Sequence, residues 1–592
     1  MATVADLSQA QCVLLAVHYA SSANIAALHS FTPSRLDVLD PELVLRIILT
    51  YLPGSTEPRE YTSYVGEVAS RLYLDHDRQD VSVDVSHVTN LSAKEAERQV
   101  KKLKLLEIAA PLYPKDAPPD LLTKFLCHRA YRIDQETGLL SLIPQLIESH
   151  LDRNEYTRTW YTSVVLPVLR LECEYYPEIE RDDGLTMASF EALDGKDGVD
   201  LLMRKCTESA AEHNRDRSYS AGSTGMANGG KRSYTIVRDA RGLIGPWMCG
   251  HTERKRRKLD RPTHIPDIDD KSTEVDKIAL RVRKISLSGI STADRTGHDW
   301  EFFYAWLVQH ARAEFALVAA CIEDWDGPGD VDVGDVHMKT YMAEDEQRKL
   351  ELQYAQAAFA TCYACTADTL DTVESAHAIL ARLAELLDFV PPPELASTVE
   401  SLPKVEKHAS SLDHSQTADE YLAPENLLKP EHPLTTPRLE SYMLLQMMVY
   451  SAYQLNGLSM PMSLGAVARL HFYATSADQL ALLRKMLKSI SQGGRRRDES
   501  QWAAERARLM WLWNWGMDSE QQAEHETEGT GVGVLGKIER TVFEEEMLKC
   551  FIDTSCKCLS CFPMSATSLR THLVLLNNTM NLPFALCAQW MM

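Results

Sequence analysis

Long apolar stripes at helical spacing, each ended within a few residues by a helix stop, constrain this chain more than any other feature. Three of them set the pattern: Leu43 to Pro53, Leu121 to Tyr131, and Trp160 to Glu172. In each, large aliphatic or aromatic side chains return every three or four residues, the period that gives one buried helical face. The stops are equally regular. Asp40-Pro41-Glu42 supplies an N-cap, a proline at the first helical position and an acid in the first turn, where free N–H groups favour it. Ser8 precedes the stripe Cys12, Leu15, Tyr19. Ser21-Ser22 is read as opening a second short helix that stops before Pro33. Ser92 and Glu95 form a capping-box pair ahead of Val100, Leu103 and Leu106. Pro118-Pro119 opens a helix carrying Leu122, Phe125, Leu126 and Arg129 that Gly138 closes, and Pro167 should kink or split its own run.

The same period continues downstream. Trp300, Phe303, Tyr304, Leu307, Ala311, Phe315, Val318 and Ile322 fit one face of a helix of about six turns. Further helices are expected over Val373 to Leu387, Leu439 to Leu455, Leu480 to Ile490 and Trp502 to Trp515, the last with Trp511, Trp513 and Trp515 as packing side chains. Only Val81-Ser-Val-Asp-Val85 alternates with period two, as a short strand would. At 592 residues the chain exceeds a single core. No fixed repeat of ankyrin or tetratricopeptide length emerges. The expected fold is therefore all-α: an irregular α-solenoid of antiparallel helical hairpins with flexible loops. Its expected segments are an N-terminal solenoid part (1–215), a Ser/Gly-rich loop (216–235), a central solenoid part (236–390), a Pro-rich connector (391–437), a C-terminal helical part (438–553, with an acidic Gly-rich linker over 520–536) and a divergent tail (554–592). The tail carries no Asp or Glu and reads as the product of an unspliced intron or a shifted frame.

Charge and cysteine content narrow the function classes. A net charge of -22 disfavours nucleic acid as a partner, since no general field attracts phosphate. No apolar run approaches the roughly 20 residues of a membrane span, and no secretory signal is visible. The 13 cysteines, an odd number scattered through the chain, read as reduced thiols, and the sequon at Asn90 then has no route to glycosylation. The expectation is a cytoplasmic chain, peripheral to a membrane through its partners.

Chemistry-bearing patterns are few. Glu253-Arg-Lys-Arg-Arg-Lys258 is the strongest basic run, a solvated loop or an import or anionic-lipid signal. Arg495-Arg-Arg497 is followed at once by Asp498 and Glu499, which neutralise it. Asp330-Val-Asp-Val-Gly-Asp335 lacks the twelfth-position Glu of a calcium loop and reads as an acidic surface loop. Cys362 with Cys365, and Cys556, Cys558 and Cys561 with His572, have spacings zinc can use, though small buried thiols serve packing as well. No phosphate loop, dinucleotide fingerprint, zinc-protease helix or nucleophile elbow is present. No catalytic residue, cofactor or metal is assigned.

Several stretches resemble the fungal Sec39 secretory-pathway family: Leu43 to Pro53 followed by Tyr61-Thr-Ser-Tyr64, Leu122 to Tyr131, Val237-Arg-Asp-Ala-Arg-Gly-Leu-Ile-Gly-Pro-Trp-Met248, Trp511 to Gly516 and Glu544 to Lys549. The resemblance runs over roughly residues 10 to 550 and stops near Cys550, where family members usually continue with further helices. It implies an α-solenoid subunit of the Dsl-one tethering complex at the endoplasmic reticulum (ER). Such a subunit helps capture COPI-coated vesicles returning from the Golgi and contacts ER SNAREs and other tether subunits. The metazoan neuroblastoma-amplified sequence protein is a larger relative. The alternative reading is a nuclear α-helical adaptor that uses Arg254 to Lys258.

Overall fold

The computed structural model describes residues 4–72, 83–108, 120–178, 185–219, 229–249, 300–336, 344–396, 399–405, 417–492, 499–517 and 530–559. Among them the chain is all-α, without a strand, in the solenoid-like manner of helices packed on their chain neighbours. It divides into two compact units interleaved in sequence. One holds residues 1–215, 238–300 and 330–346; the other holds 216–237, 301–329 and 347–592.

The first unit begins with α1 (Gln9–Ser21), capped by Ser8, whose hydroxyl accepts from Gln11 N while the Gln11 side chain accepts from Ser8 N. Helix α2 (Ile25–Phe31) is capped by Asn24 rather than by the serine pair, because Ser21 and Ser22 bond back to carbonyls at the end of α1. In α3 (Pro41–Tyr51) Asp40 accepts from Glu42 N as expected, but the buried face is Val44, Leu45, Ile47, Ile48 and Leu49. Leu43 and Tyr51 sit at its edges. Helix α4 (Pro58–Ser70) packs on α3. Residues 83–85 are not a strand. They lead into α5 (Ser86–Thr89), and the Asp84 carbonyl accepts from Tyr19 Oη instead of a neighbouring strand; Val81 and Ser82 lie outside the described residues. Helix α6 (Ala93–Val100) starts at Ser92 but ends at Val100, so Leu103 and Leu106 fall beyond it. There the chain is tied by side chains, with Arg46 donating to the Leu105 and Leu106 carbonyls and Leu106 N donating to Thr50 Oγ1.

Helix α7 (Leu121–Thr137) is capped by Asp120 and closed by Gly138, whose φ of 67° is the left-handed conformation that glycine adopts most easily. Pro118 and Pro119 lie outside the described residues. Helix α8 (Leu142–Ile147) packs on α4 and α7. The run around Pro167 is continuous but not uniform. Helix α9 (Glu155–Trp160) widens into a π-turn at Tyr161–Val165, tightens to α10 (Leu166–Leu169), and widens again at Arg170–Glu174. The missing proline N–H and its ring are absorbed by that local widening instead of a break. Helices α11 (Met187–Glu191) and α12 (Gly195–Tyr219) follow. Then α13 (Gly229–Asp239) passes through another π-turn, Ala240–Ile244, into α14 (Gly245–Met248). Helical ends thus occupy 216–219 and 229–235 of the stretch expected to be loop.

The six-turn stripe from Trp300 is two helices, α15 (Trp300–His310) and α16 (Phe315–Asp324). A turn at Ala311–Glu314 separates them, and both sides remain buried, which is why the apolar pattern alone did not show the break. Next follow α17 (Glu344–Ala364), in the second unit from Gln347 on, and α18 (Leu370–Leu387), the latter capped by Thr369 and ended by Asp388 at φ 56°. Short helices α19 (Ala418–Tyr421) and α20 (Pro424–Leu427) occur in the Pro-rich stretch, which is packed: Leu427, Leu434 and Thr435 are fully buried, and Gln356 Nε2 donates to the Leu427 and Lys429 carbonyls. Next come α21 (Leu439–Gly457), α22 (Leu464–Phe472), α23 (Ser476–Gln492), α24 (Glu499–Asn514) and α25 (Arg540–Leu559). Helix α18 packs on α16 and α21, α21 on α22 and α24, and α23 on α25.

The glycine-rich end of the expected acidic linker is no linker. Gly533 N and Leu535 N donate to the Trp513 and Leu512 carbonyls, Gly531 N donates to Gly536 O, and Val534 and Leu535 are fully buried. A Cβ on Gly533 would stand 2.2 Å from the Leu512 carbonyl oxygen, so the backbone reaches α24 only because it carries no side chain there. Residues 520–529 lie outside the described residues.

Candidate functional site

The stretches that carried the family resemblance do structural work, by burying arginines against backbone carbonyls. Arg129 on α7 is fully buried. Its Nη1 and Nη2 donate to the Leu52 and Pro53 carbonyls at 2.8 and 2.7 Å, its Nε donates to Tyr61 Oη at 3.2 Å, and its guanidinium lies over the Tyr61 ring. One turn on, Arg132 Nη1 donates to the Leu49 and Thr50 carbonyls and pairs with Glu136. Two arginines of one helix thus satisfy the orphan carbonyls at the C-terminal end of α3, where the helix dipole favours a cation.

A second clamp joins three segments of the first unit far apart in sequence. Arg170 Nη1 donates to the Gly242 carbonyl at 2.9 Å and to the Asp332 carbonyl at 2.7 Å, while Nη2 meets Asp332 Oδ1 at 3.1 Å. Asp332 N donates to the Arg241 carbonyl, and Arg241 pairs with Asp330 at 2.9 Å. The expected acidic surface loop is therefore the counter-charge of two arginines, and these interactions hold the Asp332 carboxyl below its ordinary range despite partial burial. Close approach of backbone makes this geometry possible. A Cβ on Gly242 would stand 2.0 Å from Tyr175 Oη, and one on Gly245 would stand 2.8 Å from a Val331 methyl. Trp247, buried against Phe190, leaves so little room that a Cβ on Gly198 would lie 2.1 Å from its ring.

Beside this clamp Asp239 is fully buried. It accepts from Arg238 Nε and Nη2 at 2.9 and 2.8 Å and from the Tyr176 hydroxyl, and the Arg238 guanidinium lies over both Tyr175 and Tyr176. Burial outweighs these partners and raises the Asp239 carboxyl to about 6; it also pushes the Tyr176 hydroxyl and the neighbouring Cys206 thiol well up. Lys205 Nζ pairs with Glu172 Oε1 at 3.2 Å with both side chains buried. These groups are locked by mutual charge and hydrogen bonding in closed surroundings, an arrangement that fixes helix positions.

The other residues singled out by sequence fall as follows. Cys362 and Cys365 lie together at the end of α17, both buried, with burial raising the Cys365 thiol to about 11 and the Cys362 thiol further. Cys556 and Cys558 lie on α25, and Cys561 and His572 lie outside the described residues, as do Arg254 to Lys258 and Arg495 to Arg497. Among the described residues no three His, Cys, Asp or Glu side chains stand together to hold a metal ion. No helix among them is long and apolar enough to cross a membrane. The three tryptophans near the end of α24 are buried, and each indole N–H is partnered: Trp511 to the Pro403 carbonyl, Trp513 to the Ile538 carbonyl, Trp515 to Ser451 Oγ. Sequence reasoning missed the pairing of Arg170 with Asp332, 162 positions apart, since nothing local to either residue marks it.

A family model described as "Secretory pathway protein Sec39" matches residues 13–561. The match extends past Cys550, where the sequence resemblance was expected to stop, through the whole of α25. No curated protein matches the chain.

Proposed function

The chain belongs to the Sec39 family of secretory pathway proteins, and from that premise we propose that it is a non-enzymatic scaffold subunit of an ER vesicle-tethering complex. In this reading it acts in Golgi-to-ER retrograde transport of COPI vesicles, lies peripheral to the ER membrane, and contacts ER SNAREs and other tether subunits. The observation that carries the proposal is the family match over nearly the whole chain, which makes secretory transport its field of action. The fold supports a holding role. Packed helices expose long edges and grooves on which partner segments can lie, with affinity concentrated in a few anchors, and the buried arginine clamps keep those surfaces in register.

The test is rapid depletion of the chain in its own cells, with a fluorescent ER-retrieval cargo followed by imaging. Retention of cargo in the Golgi within one transport cycle, together with a tagged copy marking the ER rim, is the expected result. Unimpeded retrieval overturns the proposal. A tagged copy concentrated in the nucleus, and released from it when Arg254 to Lys258 are neutralised, would favour the adaptor reading instead.

A further inference from the structure

Three consecutive prolines, Pro391 to Pro393, follow the end of α18. Their rings fix φ near the polyproline II value, and a residue that precedes a proline is driven out of the helical region. Val390, Pro391 and Pro392 all precede one. The sequence therefore dictates a left-handed extended stretch, and the chain from Phe389 to Glu394 is neither helix nor turn.

One side of this stretch is held by the second unit. Phe389 N donates to the Ala384 carbonyl at 2.8 Å, and the Phe389 ring lies 5.3 Å from that of Tyr442 on α21. The Tyr442 hydroxyl donates to the Val390 carbonyl at 2.9 Å. His377 Nε2 of α18, at 2.8 Å, and the Tyr450 hydroxyl of α21 both donate to the Pro393 carbonyl. A polyproline II helix has about three residues per turn, so positions 390 and 393 point their carbonyls the same way, here toward α18 and α21. The two carbonyls between them, of Pro391 and Pro392, accept no hydrogen bond among the described residues. Val390 is 81% exposed, the most of any large apolar side chain among those residues, and Pro391 is exposed as well. From Leu383 to Pro403 the chain carries Glu385, Asp388, Glu394 and Glu400 and no lysine or arginine.

We propose that residues 389–394 are the ligand of a partner domain whose polyproline groove is lined by aromatic side chains and rimmed by basic ones. The stretch excludes the other common modes of peptide docking. Prolines have no N–H to give to a sheet edge, and a helix-binding groove has no helix here to receive. An aromatic groove fits what is offered: its indole N–H or tyrosine hydroxyl donates to the Pro391 and Pro392 carbonyls while its rings pack on the proline rings and Val390. The proline rings and the anchored carbonyls leave little freedom to lose on docking, which favours binding without a large interface. The surrounding acids select a basic rim. Such a contact is additional to those of the tethering reading and does not depend on it.

The probe is an array of purified SH3, WW and EVH1 domains, each paired with a variant in which the groove aromatic is replaced by alanine. Labelled full chain should bind at least one intact domain and not its variant. The domains that bind should carry Lys or Arg beside the groove, and added salt should weaken them. The double substitution Pro391→Ala, Pro392→Ala should weaken binding about tenfold while the helical spectrum stays that of wild type. A synthetic peptide of residues 386–396 in excess should compete, and the same peptide with both alanines should not. Binding by no domain of the array, or binding that survives the double substitution, overturns the proposal. So does competition by the alanine peptide as strong as that by the native one.

Discussion

Replacing Arg129 by Met removes the charge and keeps much of the side-chain volume, which isolates the hydrogen bonds from the packing. In the native chain the guanidinium satisfies the Leu52 and Pro53 carbonyls and meets Tyr61 Oη. Its loss leaves the buried Leu52 carbonyl without a donor and leaves the more exposed Pro53 carbonyl to water. Each unsatisfied buried group costs about 1–3 kcal/mol. The cost of burying a guanidinium is relieved at the same time, so the net loss should stay within that range, on the order of 1–3 kcal/mol. In a unit of this size about 1 kcal/mol shifts the melting midpoint by about 2 °C, so a fall of roughly 2–6 °C follows. Hydrogen exchange read by mass spectrometry localises the effect. Amides of α3 and of residues 52–64 should lose protection, while those of α21 to α25 should not. Arg129→Lys should recover only part of the loss, because a point charge cannot span both carbonyls and the tyrosine. An Arg129→Met protein that melts within about 1 °C of wild type with unchanged exchange would refute the reasoning and make this arginine a bystander.

Other outcomes follow from the same geometry. Gly198→Ala should destabilise the first unit by about 2–3 kcal/mol through overpacking against Trp247, and Trp247→Phe should offset part of it in the double variant, as a thermodynamic cycle would read out. His432 is buried, its Nε2 facing the Tyr421 carbonyl while its Nδ1 accepts from Leu434 N, and burial lowers its pKa to about 4. The unfolded chain therefore takes up the proton first, and stability should fall as pH drops from about 6.5 to about 4, by roughly 2–3 kcal/mol in all. His432→Gln should flatten that slope in pH-dependent denaturant unfolding. Asp239 works in the opposite sense. Its carboxyl is raised to about 6, so its contribution is fullest below the ordinary carboxylate range and diminishes as pH rises through 6, which Asp239→Asn should remove. Thiol labelling of the native protein at pH 8 should mark exposed Cys173 well before Cys362 and Cys365, and equal rates would contradict their burial.

Much of the local architecture was legible in the sequence. Ser8, Asp40, Ser92 and Gly138 each terminate a helix where the residue type says they should, because capping is decided by neighbours within four positions. Pro167 is the instructive middle case: its disturbance was foreseen, but its form, a pair of π-turns flanking α10, depends on surrounding side chains that keep the run buried. What stayed hidden was settled by distant partners. The stripe from Trp300 to Ile322 breaks at Ala311–Glu314 without losing its period. Residues 530–536 look like linker by composition, yet glycine is what lets that backbone lie on Leu512 and Trp513. The loop Asp330 to Asp335 lies at the surface as its composition says, but nothing local shows that Asp332 and Asp330 answer Arg170 and Arg241.

The central claim is that this helical chain works by holding other proteins of the secretory pathway. Its most direct test is affinity isolation of the tagged full chain at native abundance, with quantitative mass spectrometry of what comes with it. Near-stoichiometric recovery of tether subunits and an ER SNARE is the expected result. Recovery of the chain alone, with neither class of partner above background, would contradict it.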